Sequence, residues 1–113
     1  MKTSSAKNKG RRLCSHVKER LLHWAPDLKA DDVMVPATST QGEDIWLSPA
    51  ARATYPLAIE CKMQESLNIW AALEQSRTHV GSTDNKPVVI FSRNREGRTY
   101  IAMDLEDYLW LTR

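Results

Sequence analysis

No run of apolar residues in this chain approaches the roughly 20 that a bilayer-spanning helix needs, which excludes such a helix. The opening "MKTSSAKNKGRR" is basic and polar and lacks an apolar h-region, so it does not read as a secretory signal. Cysteine is scarce. Cys14 and Cys61 are the only two, which gives no disulfide framework and no metal-finger spacing. A reducing, cytoplasmic setting is the resulting expectation. Internal repeats and extended low-complexity segments are also missing.

What is present suits one compact domain. The 113 residues are 42% hydrophobic, enough for a core, and 27% charged. Net charge is only +2, but it is unevenly spread. Lys2, Lys7, Lys9, Arg11 and Arg12 crowd the first 12 residues without an acid, which leaves 11 basic against 14 acidic groups, a net of −3, in the rest. Residues 1–10 are therefore expected to form a flexible basic arm that contacts phosphates. The plainer reading of the same arm is a solubilising tail.

Along the chain, "RRLCSHVKERLLHW" (11–24) predicts a helix whose buried stripe is Leu13, Val17, Leu21 and Trp24, stopped by Pro26. Strands are expected at 32–37 and 44–47, with a turn at "TSTQGE" between them. Ser48 and Pro49 open a short helical turn. "LAIECK" (57–62) reads as the central strand, 66–79 as a helix capped by Ser66 and ended by Gly81, and 87–92 with 98–103 as a hairpin across "RNREG". Asp104 caps a last helix. The order predicts an α/β fold, a mixed central sheet flanked by helices.

"LAIECK" carries the chemistry. Alternation along a strand puts Leu57, Ile59 and Cys61 on one face and Glu60 with Lys62 on the other. Charged groups on such a strand mark either an ion pair at the sheet margin or a reaction site. Asp44 opens the neighbouring predicted strand, so Asp44 and Glu60 can converge at one end of the sheet. Two carboxylates that converge raise each other's pKa unless a cation lies between them. Mg²⁺ is the natural one, with Mn²⁺ able to substitute, and the backbone carbonyl of Cys61 is a third candidate ligand. Lys62 would then polarise an attacking water or stabilise charge on a phosphate.

On these residues, "GEDI…AIECK" resembles the PD-(D/E)XK nuclease superfamily, and the likeness runs from about residue 10 to residue 103. The order of "NKGRRLC", "ATSTQGEDI" and "LAIECK" is similar to that in small phage- and archaeal-type Holliday junction resolvases, and the stretch from "GEDIW" to "WAALEQ" resembles phage-encoded nucleases of that superfamily. The resemblance implies a restriction-endonuclease-like core over 11–113. It implies Asp44 and Glu60 as metal ligands, Lys62 as the catalytic lysine and Gln75 as a supporting helical glutamine. Ser39, in the loop before Asp44, and Arg52 join Lys7, Lys9, Arg11 and Arg12 as candidate DNA contacts. Two departures stand out. Glu43 occupies the usual proline position, and Cys14 falls where the archaeal resolvases carry a first-helix Glu that helps hold metal. Glu19 is the only acid on that helix and a further candidate ligand, although the helical wheel puts it opposite the apolar stripe.

Other features weigh less. His16, Glu19 and His23 suit a solvated helix face better than a zinc site. His79, near a helix end, can simply interact with the last carbonyls. Arg93, Arg95 and Arg98 surround the hairpin turn and can grip a phosphate backbone, or serve as an ordinary polar turn. Trp46, Trp70 and Trp110 read as core or interface residues, and symmetric cutting of two strands favours a homodimer. The expectation is a Mg²⁺-dependent DNA endonuclease acting on branched DNA such as Holliday junctions. The alternatives are a structure-nonspecific DNA nuclease and a non-catalytic DNA-binding protein.

Overall fold

A computed structural model describes residues 2–37, 43–80 and 84–113, with side chains from Asn8 onward. The first helix, α1, spans Lys2–Trp24. The basic stretch 2–10, expected as a flexible arm, is continuous with it, and no break occurs at residue 11. The lone glycine, Gly10, costs a helix only about 1 kcal/mol, and no proline interrupts the stretch. Leu13, Cys14 and Val17 are buried and Leu21 is half-buried, as the stripe requires. Trp24 departs from it. At 74% exposure it projects from the helix end, its ring meeting His23 edge-on at 5.4 Å, and Ala25 is buried instead.

A single 3-10 turn, Ala30–Asp32, leads into β1 (Val33–Met34), which pairs antiparallel with β2 (Trp46–Leu47). Both are shorter than the expected strands. Helix α2 (Pro49–Thr54) follows, with Ser48 as N-cap; its hydroxyl accepts the Ala51 amide at 3.1 Å and donates to Asp32 Oδ1 at 2.6 Å. Strand β3 (Leu57–Met63) runs parallel to β4 (Lys86–Ser92), with Glu60 opposite Val89 and Cys61 opposite Ile90. β4 continues antiparallel into β5 (Tyr100–Met103), as the hairpin reading required. Between β3 and β4 lies α3 (Ile69–Thr78). It starts later than expected, because Asn68 rather than Ser66 caps it by accepting the Ala71 amide. Helix α4 (Leu105–Thr112) ends the chain, capped by Asp104 as its sequence suggested.

The sheet order is β3-β4-β5, mixed parallel and antiparallel, beside the small β1-β2 pair. An isolated antiparallel bridge between Ile45 and Ile59 joins the two. The main core gathers Leu13 and Val17 of α1 with Val33, Ile45, Leu47, Leu57, Ile59, Val88 and Ile90. The opposite face of β3 and β4 presents Ala58, Glu60 and Val89, and α3 covers it with the small buried residues Ala72 and Ser76. A strand covered on both faces reads as near-continuous apolar sequence, which explains "LAIEC". Trp70 at 79% exposure and Trp46 at 48% belong to neither core. Among the described residues no helix is long and apolar enough to cross a membrane.

Candidate active site

The charged residues of β3 are met from one side by α3. Lys62 Nζ donates to Gln75 Oε1 at 2.8 Å, and the Glu60 carboxylate pairs with Nδ1 of His79, the residue that ends α3. The helix runs against the strand direction, so the two contacts form a ladder. Two residues along a strand advance about 6.6 Å. Four along a helix advance about 6 Å. Gln75 and His79 are four apart, and Lys62 and Glu60 two apart, so both pairs come into register.

Glu60 is 3% exposed. Desolvation pushes its carboxyl above the ordinary range, the hydrogen bond from His79 opposes that shift, and the nearby charge of Asp44 adds to it. Glu43 is shifted the same way by burial, with Arg52 and His79 close enough to counter it. Neither Glu43 nor His79 stood out in the sequence as a site residue. The signal for His79 was its i, i+4 relation to Gln75 on the helix that follows "ECK".

Asp44 reaches the group from the open edge of β3. Its amide donates to the Ile59 carbonyl at 2.9 Å, and its Oδ2 accepts the Cys61 amide at 2.7 Å. The N–H and C=O of one strand residue point the same way, so the Cys61 carbonyl also faces this edge. Cys61's side chain, in contrast, lies on the α1 face with Cys14. One ligand atom from each of Cys14, Asp44 and Cys61 lies within 4.8 Å of the other two, the one such group of three His, Cys, Asp or Glu residues among the described residues. Asp44 therefore sits at the rim, between the face carrying Glu60 and Lys62 and the face carrying the two thiols. A hydrogen bond from the Cys61 thiol lowers the pKa of Cys14, while that contact and burial raise that of Cys61.

Glu60 is a buried carboxylate already paired with His79, the charge of Asp44 reaches it, and Asp44 has lone pairs beyond the one used by the Cys61 amide. Glu19 is exposed on α1 and is not among the donors that gather with Asp44. Ser39 lies outside the described residues, as does the side chain of Lys7.

A groove of about 470 Å³ opens beyond the C-terminal ends of β3 and β4. Lys9, Arg12 and His16 of α1 line one wall, and Arg93, Arg95 and Arg98 of the β4–β5 turn line the other. Arg93 is tied to Glu96 at 3.1 Å. Arg11 lies on a different side of the helix, in a recess with Asn8 and Ser15, and donates to the Pro36 carbonyl at 3.3 Å. Arg52 faces Glu43 instead. Of the expected DNA contacts, the structure thus brings Lys9 and Arg12 together with the turn arginines. The chain matches no family model, no curated protein and no solved structure.

Proposed function

We propose that the protein is a metal-dependent DNA endonuclease of the PD-(D/E)XK kind, with branched DNA such as a Holliday junction as its substrate. The observation that carries this reading is the meeting of Asp44 with the Glu60–Cys61–Lys62 segment, through the 2.7 Å bond to the Cys61 amide. The order α1, β1, β2, α2, β3, α3, β4, β5 also sets the strand that carries the charges between helices, as this reading expects.

Asp44, Glu60 and the Cys61 carbonyl would hold Mg²⁺ or Mn²⁺, which when bound supplies charge neutralisation at the phosphorus and a more acidic water. The protein's own residues do the rest. Gln75 holds Lys62 in place, so that its ammonium meets the negative charge that develops on the phosphate. Burial keeps bulk water from Glu60. The groove of Lys9, Arg12, Arg95 and Arg98 holds the DNA backbone away from the scissile bond. A homodimer, which would present two such sites, agrees with the exposed Tyr100, Ile101, Tyr108 and Leu109 on β5 and α4.

The test uses a supercoiled plasmid and a synthetic four-way junction incubated with Mg²⁺, with EDTA, and with the Lys62→Ala variant. Cleavage that needs Mg²⁺ and Lys62 supports the reading, and a preference for the junction supports the branched substrate. Equal cutting of every form points to a structure-nonspecific nuclease. Inertness of the parent protein on all DNA forms ends the catalytic reading. One observation favours a non-catalytic DNA-binding role in that event: Glu60 and Asp44 each already have a partner within the protein, His79 and the Cys61 amide.

A further inference from the structure

Cys14 and Cys61 are far apart in sequence, and nothing in their spacing suggests a metal site. The fold brings them together. Cys14 comes from α1 and Cys61 from β3, both are buried, and Asp44 at the sheet edge completes a group of three donor atoms mutually within 4.8 Å. We propose that Cys14, Cys61 and Asp44 form a site for a thiophilic divalent cation, Zn²⁺ or an ion of similar preference.

The donor chemistry selects the ion. Two sulfurs and one carboxylate oxygen suit Zn²⁺ or Co²⁺ and do not suit Mg²⁺, which takes oxygen donors in octahedral array. Zinc bonds thiolate sulfur at about 2.3 Å and carboxylate oxygen at about 2.0–2.2 Å, so tetrahedral ligands stand roughly 3.5 Å apart. Closing a group now within 4.8 Å requires shifts of about 1 Å, within reach of side-chain rotation alone. Asp44 need not leave the Cys61 amide, because that bond uses Oδ2 and a carboxylate has further lone pairs on both oxygens. A water supplies the fourth ligand, as in zinc sites with three protein donors.

Binding replaces the two S–H bonds with metal–sulfur bonds and releases both protons to solvent, so no oxidant or reductant takes part. Two thiolates and a carboxylate around a dication leave one negative charge, and Arg11 is close enough to Cys14 to offset it. The site stands whether or not the chain cleaves DNA. Only its consequence rests on the nuclease reading: Asp44 belongs to both donor sets, so a bound thiophilic ion withdraws it from the oxygen-donor site.

The test is a titration of untagged, chelator-stripped protein with Co²⁺, read by sulfur-to-cobalt charge-transfer absorption. The expected result is a band that saturates at a single equivalent, disappears when Zn²⁺ is added, and is lost in Cys14→Ser with the far-ultraviolet circular dichroism unchanged. Zinc-edge X-ray absorption on the parent protein gives a reading free of any variant, and sulfur in the first shell is the expected result. No charge-transfer band under excess Co²⁺, an undiminished band in folded Cys14→Ser, or a first shell of nitrogen and oxygen alone overturns the site. None of these measurements involves DNA, so failure here and failure of the nuclease reading are separate outcomes.

Discussion

Lys62 donates to Gln75 across 2.8 Å, and one step back along the same strand Glu60 repeats the contact with His79. Helix α3 thus holds both ionic groups of β3 at fixed positions. If Lys62 meets charge developing on a phosphate, Lys62→Ala lowers the cleavage rate by about 10²–10³-fold. Gln75→Ala leaves the ammonium in place but unanchored and gives a smaller loss. Single-turnover rates on a nicked or junction substrate measure both.

Glu60→Gln separates stability from chemistry. Burial raises the Glu60 carboxyl, so the native state binds that proton more tightly than the unfolded chain does. Its effect on stability is most favourable below the ordinary carboxyl range and is lost as pH rises through the raised folded value. Glu60→Gln therefore melts at least as high as the parent at neutral pH, and if Glu60 holds the metal of a nuclease it also loses cleavage. Its advantage narrows as the solution is acidified. Melting curves across an acid-to-neutral series check the sign.

Ser48 joins two elements, capping α2 and donating to Asp32 at 2.6 Å. Ser48→Ala is expected to cost about 1 kcal/mol, read from denaturant unfolding. Asp32 itself is held below the ordinary carboxyl range by Ser48 and by the Lys29 amide. A depressed carboxyl stabilises above its unfolded value and ceases to as pH falls through the folded one. Asp32→Asn therefore weakens the fold at neutral pH and is indistinguishable from the parent in strong acid.

Arg95 sits in the turn with a φ of 64°, the one non-glycine residue at positive φ among the described residues. That conformation costs a side-chain-bearing residue roughly 1 kcal/mol, which a glycine avoids. Arg95→Gly is expected to leave the fold at least as stable and, if the groove holds DNA as proposed, to weaken that binding, with the slope of log affinity against log salt reduced by about 1. Binding isotherms across a salt series measure it. An unchanged slope places the DNA elsewhere.

Much of this was legible in the sequence. Period and capping residues located α2 and α4 and the bodies of α1 and α3, though not the starts of the latter two, and the alternation in "LAIECK" identified the strand that carries the charges. Strand alternation also put Cys61 and Glu60 on opposite faces, as observed. The sequence did not show what answers those charges. His79 read as an ordinary helix end, because its partner is nineteen residues away and depends on the pitch of α3 against β3. The Cys14–Cys61 contact arises from the packing of α1, which local pattern does not encode. Trp24 and Trp70 mislead for a related reason: helical periodicity says which way a side chain points, not whether anything lies opposite it.

The seam between the two sheets has a last implication. Ile45 and Asp44 are the stitch that fastens the β1-β2 ribbon to β3, through the Ile59 carbonyl and the Cys61 amide. Asp44 is thereby a fastener as well as a proposed metal ligand. Replacing it with alanine confounds architecture with chemistry, whereas asparagine keeps an acceptor for Cys61 and changes only the charge. Deuterium uptake at the Asp44 and Cys61 amides should quicken together wherever that stitch comes undone.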